Sequence, residues 1–174
     1  MNARPARVGL MIPSSNTMME LDFTRDLPAG TALHTARMFL EDTTAAGEVR
    51  MLDEFALPAA RDLGTARPDV VVFGCTSAGA LRGNDYDADL CARISEMTGA
   101  PTVSTIGAVR DAIAGSGATS VGVITPYVDE LNEKIRASIE ADGTHVAAIA
   151  GLGITENFAI AEVGRDDIVA FAVR

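Results

Sequence analysis

The sequence predicts an α/β protein of two successive halves, each a parallel sheet covered by helices. Three observations carry that expectation. Short apolar or β-branched runs alternate with segments of helical periodicity, the signature of βαβ units. The loops after the runs are rich in small polar residues, as at the ligand end of such a sheet. The pattern then begins again near residue 120, after a "GSGATS" stretch that reads as a linker.

The first run is "RVGLMI", residues 7–12, followed by the "PSSNT" loop and a helix, "TMMELDFTRDL", ended by Pro28 and Gly30. "TALHTARMF" alternates as a second strand. Residues 45–66 form a long helical pattern with Val49, Leu52, Phe55, Leu57, Ala60 and Leu63 along one face and a kink expected at Pro58. "DVVVFG" is a continuous apolar strand, expected to be buried on both faces. "DADLCARISEMTG" returns to helical spacing through Leu90, Cys91, Ile94 and Met97. "PTVST" supplies a fourth strand and "IGAVRDAIAG" another helix, which closes a first half at residues 1–115.

The second half, residues 116–174, reads as the strand "SVGVIT", the helix "YVDELNEKIRASIEADG", the strand "HVAAIAG", the loop "LGITENFAIAEVG" and a helix opening near Asp166. Two strands bury too little apolar surface to stand alone at this size. The second half is therefore expected to be truncated, or else to lean on the first half or on a partner chain.

Composition narrows the function. The chain has 174 residues, 48% of them hydrophobic, and a formal net charge of -10 with no run of lysine or arginine. A nucleic acid or an anionic membrane is not the expected partner. No apolar stretch approaches the ~20 residues that span a bilayer, and "VGLMIP" is too short for a secretory core, so a cytoplasmic location is expected. Cys75 and Cys91 lack the CxxC pairing of a zinc or dithiol site and are read as reduced thiols.

Several motifs fail in instructive ways. The glycines at 115 and 117 precede a strand instead of following one, and Glu156 stands where a dinucleotide fingerprint after Gly151 and Gly153 needs a third glycine. Phe73 and Ser77 flank Cys75 where a nucleophile elbow has glycines. His34 and His145 lie inside predicted strands, which favours structural roles over a base paired with Cys75.

In a flavodoxin-like strand order the crevice lies between strands one and three. Their loops, "PSSNT" and "GCTSAG", should bring Asn16 and Cys75 to face each other. Thr76, Ser77, Ala78 and Gly79 offer amides and hydroxyls at a strand-to-helix turn, an arrangement that can stabilise anions and depress a thiol pKa. Tyr127 holds the equivalent turn of the second half, and Asn157 lies in the loop after the next strand. Cys91 fits the apolar stripe of its helix and is read as a core residue.

Taken together, "VGLMIPSSNTMME", "VVVFGCTSAG", "VGVITPYVDELN" and "GLGITENFAI" resemble the signature loops of the maleate cis-trans isomerase group in the aspartate/glutamate racemase superfamily. The resemblance implies two pseudo-symmetric, flavodoxin-like α/β halves with the active site between them, one catalytic cysteine from each half, no cofactor or metal, a small carboxylate substrate, and a homodimer or larger assembly. Cys75 would be the first-half nucleophile. Asn16, Tyr127 and Asn157 would hold substrate carboxylates or position the reacting carbon, with Thr76 and Ser77 adding contacts. The implied second cysteine belongs to a strand after the helix that opens near Asp166, so the second half is expected to stop before it. Related decarboxylases carry glycine at the Cys75 position. An amino-acid or hydantoin racemase using two thiols, and a carboxylate-binding module without chemistry, are the alternatives.

Overall fold

The computed structural model describes residues 4–173. Its first sheet is parallel with strand order β2-β1-β3-β4, formed by β1 (Arg7–Pro13), β2 (Ala32–Met38), β3 (Val70–Phe73) and β4 (Thr102–Ser104). The reversal of strand order falls between β1 and β3, where the two polar loops were expected to meet. β1 is buried almost throughout, with Leu10, Met11 and Ile12 inaccessible to solvent. β3 departs from the expectation of burial on both faces. Val71 and Phe73 are buried, whereas Val70 and Val72 are only half-buried.

The long helical pattern at 45–66 resolves into three pieces: α2 (Ala45–Arg50), a π-helical turn (Met51–Ala56) and α3 (Leu57–Gly64). Pro58 lies in the first turn of α3. A proline lacks an N–H and collides with the carbonyl of the preceding turn, and a widened π turn accommodates both. The extra residue in that turn rotates the buried face. Glu48, Met51, Leu52, Ala56, Ala59, Ala60 and Leu63 point inward, Phe55 is half-buried, and Val49 is exposed.

Helix α1 (Met19–Asp26) follows β1, and α4 (Thr76–Leu81) follows β3. α5 (Asn84–Thr98) buries Asp87, Leu90, Ile94 and Thr98. Cys91 is therefore half-buried beside that stripe, not a core residue, and Met97 is exposed. α6 runs Thr105–Ser116 and ends on Gly117 in the left-handed conformation. The "GSGATS" segment is thus the last turn and cap of a helix more than a linker.

The second sheet pairs β5 (Ser120–Thr125) and β6 (His145–Gly151) in parallel, with α7 (Asp129–Glu140) between them in sequence, followed by α8 (Asn157–Ile160) and α9 (Arg165–Ala172). It leans on the first half. α4, whose residues 77–81 are all buried, packs on α7, and Ala80 and Ile106 share a core cluster with Ile135, Ile139 and Val146. Gly79 lets α4 lie close to α5 and α6, because a Cβ there would be 2.7 Å from Ile106 Cγ2 and 2.9 Å from Asp87 Oδ1.

Candidate active site

The four polar loops gather at the carboxyl ends of β1, β3, β5 and β6. The central one is the shortest: Gly74 N–H donates to Met11 O at 2.7 Å, and the chain turns straight into α4 with Cys75 as its N-cap. A Cβ on Gly74 would lie 2.9 Å from both Ile12 and Met19, so this glycine lets α1 and α4 start side by side. Cys75 is 7% exposed and packs with Phe73, Ala78 and Leu131 in the main core.

The electrostatics at this thiol run opposite to the sequence expectation. Burial pushes the Cys75 thiol well up, the negative charge of Glu48 pushes it further, and the Ala78 N–H and Ser77 hydroxyl only partly offset both. Amides at the turn are present as expected, but desolvation of the charged form outweighs them. Ser77 Oγ lies 4.0 Å from Cys75 Sγ and donates a hydrogen bond to Glu48 Oε1. Thr76 is half-buried and Ser77 buried.

Tyr127 reaches this cluster from the second half. Its backbone is fixed by Thr125 Oγ1, which accepts from Tyr127 N–H at 3.1 Å, and by the buried Asn132, whose Oδ1 accepts from Thr125 Oγ1. Gly153 N–H donates to Tyr127 O at 3.2 Å. Gly151 has no room for a Cβ, which would meet Tyr127 O and Asn132 Nδ2. Burial pushes the phenol up and the charge of Cys75 adds to that, while the Ser77 and Thr76 hydroxyls act in the opposite direction. Thr76 and Tyr127 also line an open, mostly apolar cleft of about 470 Å³ with Ile106, Val123 and Ile135.

Asn157 ties the halves together. Its Nδ2 donates to Ser15 Oγ at 2.6 Å, and its Oδ1 accepts from the buried Thr43 Oγ1 at 3.1 Å. Thr43 N–H donates to Thr155 O at 2.7 Å, and Asp42 bridges Glu156. The "ITEN" loop is thereby sewn onto the "PSSNT" loop and the segment after β2. Asn16 is half-buried and spends its Oδ1 on the N–H groups of Met18 and Met19, at 3.1 and 3.0 Å, so it caps α1. Arg37 holds the loop carbonyls of Ser14 and Asn16.

The structure brings Cys75, Thr76, Ser77 and Tyr127 into one cluster, with Asn157 on the seam beside Ser15. Asn16 makes no hydrogen bond to any of them. Sequence reasoning missed Glu48, Thr43 and Arg37. Glu48 was readable in principle, because it stands one helical turn before the inward-facing Met51 and Leu52. His34 lies inside β2 as read from sequence, whereas His145 is the first residue of β6 and is exposed.

With this geometry in hand, the sequence profile of the arylmalonate decarboxylase family matches residues 8–174. The chain belongs to that family, and within it to the maleate isomerase group of the aspartate/glutamate racemase-like superfamily. It is 32% identical over 178 residues to a maleate isomerase of Geobacillus stearothermophilus, an alignment that takes in 95% of this chain and 69% of the relative. An arylmalonate decarboxylase of Bordetella bronchiseptica is 27% identical, covering 96% of this chain and 69% of the relative. Among solved structures, a maleate isomerase of Pseudomonas putida S16, determined as a cysteine-to-alanine variant with maleate, superposes with a TM-score of 0.89 at 29% identity. That superposition covers 97% of this chain and 72% of the other. Among the described residues, no helix is long and apolar enough to cross a membrane.

Proposed function

We propose that this chain provides the nucleophile and carboxylate contacts for cofactor-independent cis-trans isomerisation of a small unsaturated dicarboxylate, of the maleate-to-fumarate type. The observation that carries the reading is the placement of Cys75. It caps α4 at the end of β3, with Ser77, Thr76 and the second-half Tyr127 around it, in a chain similar to maleate isomerases along most of its length.

The chemistry follows from the substrate. Cys75 Sγ adds to one alkene carbon, so an S–C bond forms as the C=C π bond breaks and electron density moves onto the neighbouring carboxylate-bearing carbon. A proton placed on that carbon gives a succinyl-like adduct, in which rotation about the new single bond is free. Loss of that proton and cleavage of S–C restore the double bond in the trans arrangement. By the resemblance, a second cysteine carries that proton. Because Cys75 rests as a neutral thiol, addition amounts to placing S–H across the double bond: its proton leaves as S–C forms, the proton gained by the neighbouring carbon balances it, and elimination returns a proton to the sulfur. Tyr127 and Thr76 would donate to the carboxylate that accumulates charge, with Ser77 adding contacts once its hydroxyl turns from Glu48, and loss of one such donor typically costs on the order of 10²-fold in rate.

Proton NMR of the protein incubated with maleate tests the reading. Fumarate should accumulate with wild type and not with Cys75→Ala. A second reading, decarboxylation, is favoured by the family profile and by the likeness to an arylmalonate decarboxylase. Release of carbon dioxide from an arylmalonate without any conversion of maleate would replace the first reading by the second.

A further inference from the structure

Glu48 is the one carboxylate in the heart of the site, and neither the motif series nor the proposed chemistry uses it. It is fully inaccessible to solvent. Oε1 accepts from Ser77, and Oε2 is buried without any hydrogen-bond partner. The charge that acts on it is that of Glu130 in the first turn of α7, and its own charge acts on Cys75 at the start of α4 and on Tyr127 before α7. None is basic. Arg50, on the same helix, is turned outward to Glu54 and the rings of Phe39 and Phe55.

Such a group cannot be a counter-charge for anything that binds here. An ionised Glu48 would leave a buried oxygen anion without a donor, next to a sulfur that must carry negative charge and in a site read as one for dianions. We propose that Glu48 is the proton-holding partner of Cys75: the site works with Glu48 as a neutral acid hydrogen-bonded to Ser77, and ionisation of Glu48 suppresses both thiolate formation and dicarboxylate binding. The first part stands on the geometry around Cys75, while the second rests on the dicarboxylate reading. The direction of titration agrees with it, since burial raises Glu48 to about 7, Ser77 partly offsetting this and Glu130 adding to it.

The test reads Cys75 directly, in a Cys91→Ser background so that one thiol reports. The rate of alkylation by iodoacetamide is followed against pH in wild type, Glu48→Gln and Ser77→Ala. While Glu48 is neutral, the rate should climb about tenfold per pH unit, as the thiolate fraction does. In wild type the climb should flatten above the titration of Glu48 at about 7, because each further ionisation disfavours the thiolate. In Glu48→Gln it should continue unbroken. In Ser77→Ala the break should move upward, because the lost hydrogen bond had favoured the ionised carboxylate. Superimposable wild-type and Glu48→Gln profiles, or a wild-type profile without a break, would overturn the proposal. Protection of Cys75 by succinate, measured alongside, should weaken above the break in wild type and not in Glu48→Gln. Absence of succinate protection at every pH, with the break intact, would sink the dicarboxylate reading and leave the Glu48–Cys75 linkage standing.

Discussion

The two halves use the same βαβ grammar and bury it differently. In the first, β1 is covered on both faces and its strand-end loops converge on a thiol inside the main core. In the second, β5 alternates exposed and half-buried residues, β6 buries only Val146, and Ile124, Leu152, Phe158 and Ile168 remain open to solvent. Yet that thinner half places Tyr127 and Asn157 as firmly as the first half places Cys75. It does so with hydrogen bonds: Thr125, Asn132 and Gly153 on Tyr127, and Ser15 and Thr43 on Asn157. The contrast teaches that the first half positions chemistry by packing, and the second by a polar seam laid onto the first.

The largest expected effect lies in the packed half. Cys75→Ala should lower maleate turnover by on the order of 10³-fold or more, as removal of a nucleophile does, whereas Cys91→Ser, half-buried on α5 away from the strand-end loops, should leave it within about twofold. Steady-state NMR rates check both.

Packing comes next. Leu10→Ala in β1 should cost about 2–5 kcal/mol in urea denaturation, because the residue is wholly buried and its neighbours collapse only partly. Ile124→Ala, 40% exposed in β5, should cost about 0.5 kcal/mol or less. Similar losses at both positions would break the comparison.

Glu48 gives a pH-dependent version of the same contrast. Its carboxyl titrates near 4.5 when unperturbed and at about 7 in the folded protein, so the folded state holds the proton more tightly. Stability is then greatest below the unfolded value and is lost as pH rises toward the folded value, by about 3 kcal/mol in all. Glu48→Gln should remove that pH dependence and be the more stable protein at mildly alkaline pH, a difference that denaturation curves at two pH values would show.

The seam is expected to respond more mildly. Asn157→Ala leaves Thr43 and Ser15 without their partners and should cost about 1–3 kcal/mol, with a larger share of its effect on maleate KM than on overall stability. An unchanged KM would assign Asn157 to structure alone.

The strand order, both sheets, and the loops that meet at their carboxyl ends were legible in sequence, because apolar periodicity and turn chemistry are local properties. The placement of Cys75, Thr76, Ser77 and Tyr127 followed from that topology. What was not legible depended on tertiary detail. The π turn before Pro58 shifted the inward face of the helices around it, and a stripe counted across a regular helix cannot register an inserted residue, so it ran through Val49 although Met51 and Leu52 one turn on already pointed to Glu48. Desolvation reversed the expected direction at Cys75, since burial depends on Leu131 and Tyr127 arriving from the second half. Asn16 kept its place but acquired a capping role, one that the "SNT" sequence before a helix already contains.

The most direct test of the central claim is to trap the adduct. The protein is incubated with maleate, quenched in acid, digested, and its peptides analysed by mass spectrometry. The account predicts the mass of one maleate added at Cys75 and at neither Cys91 nor any peptide of the Cys75→Ala protein. Conversion of maleate to fumarate by a protein whose Cys75 stays unmodified, or by the Cys75→Ala variant at the wild-type rate, would contradict it.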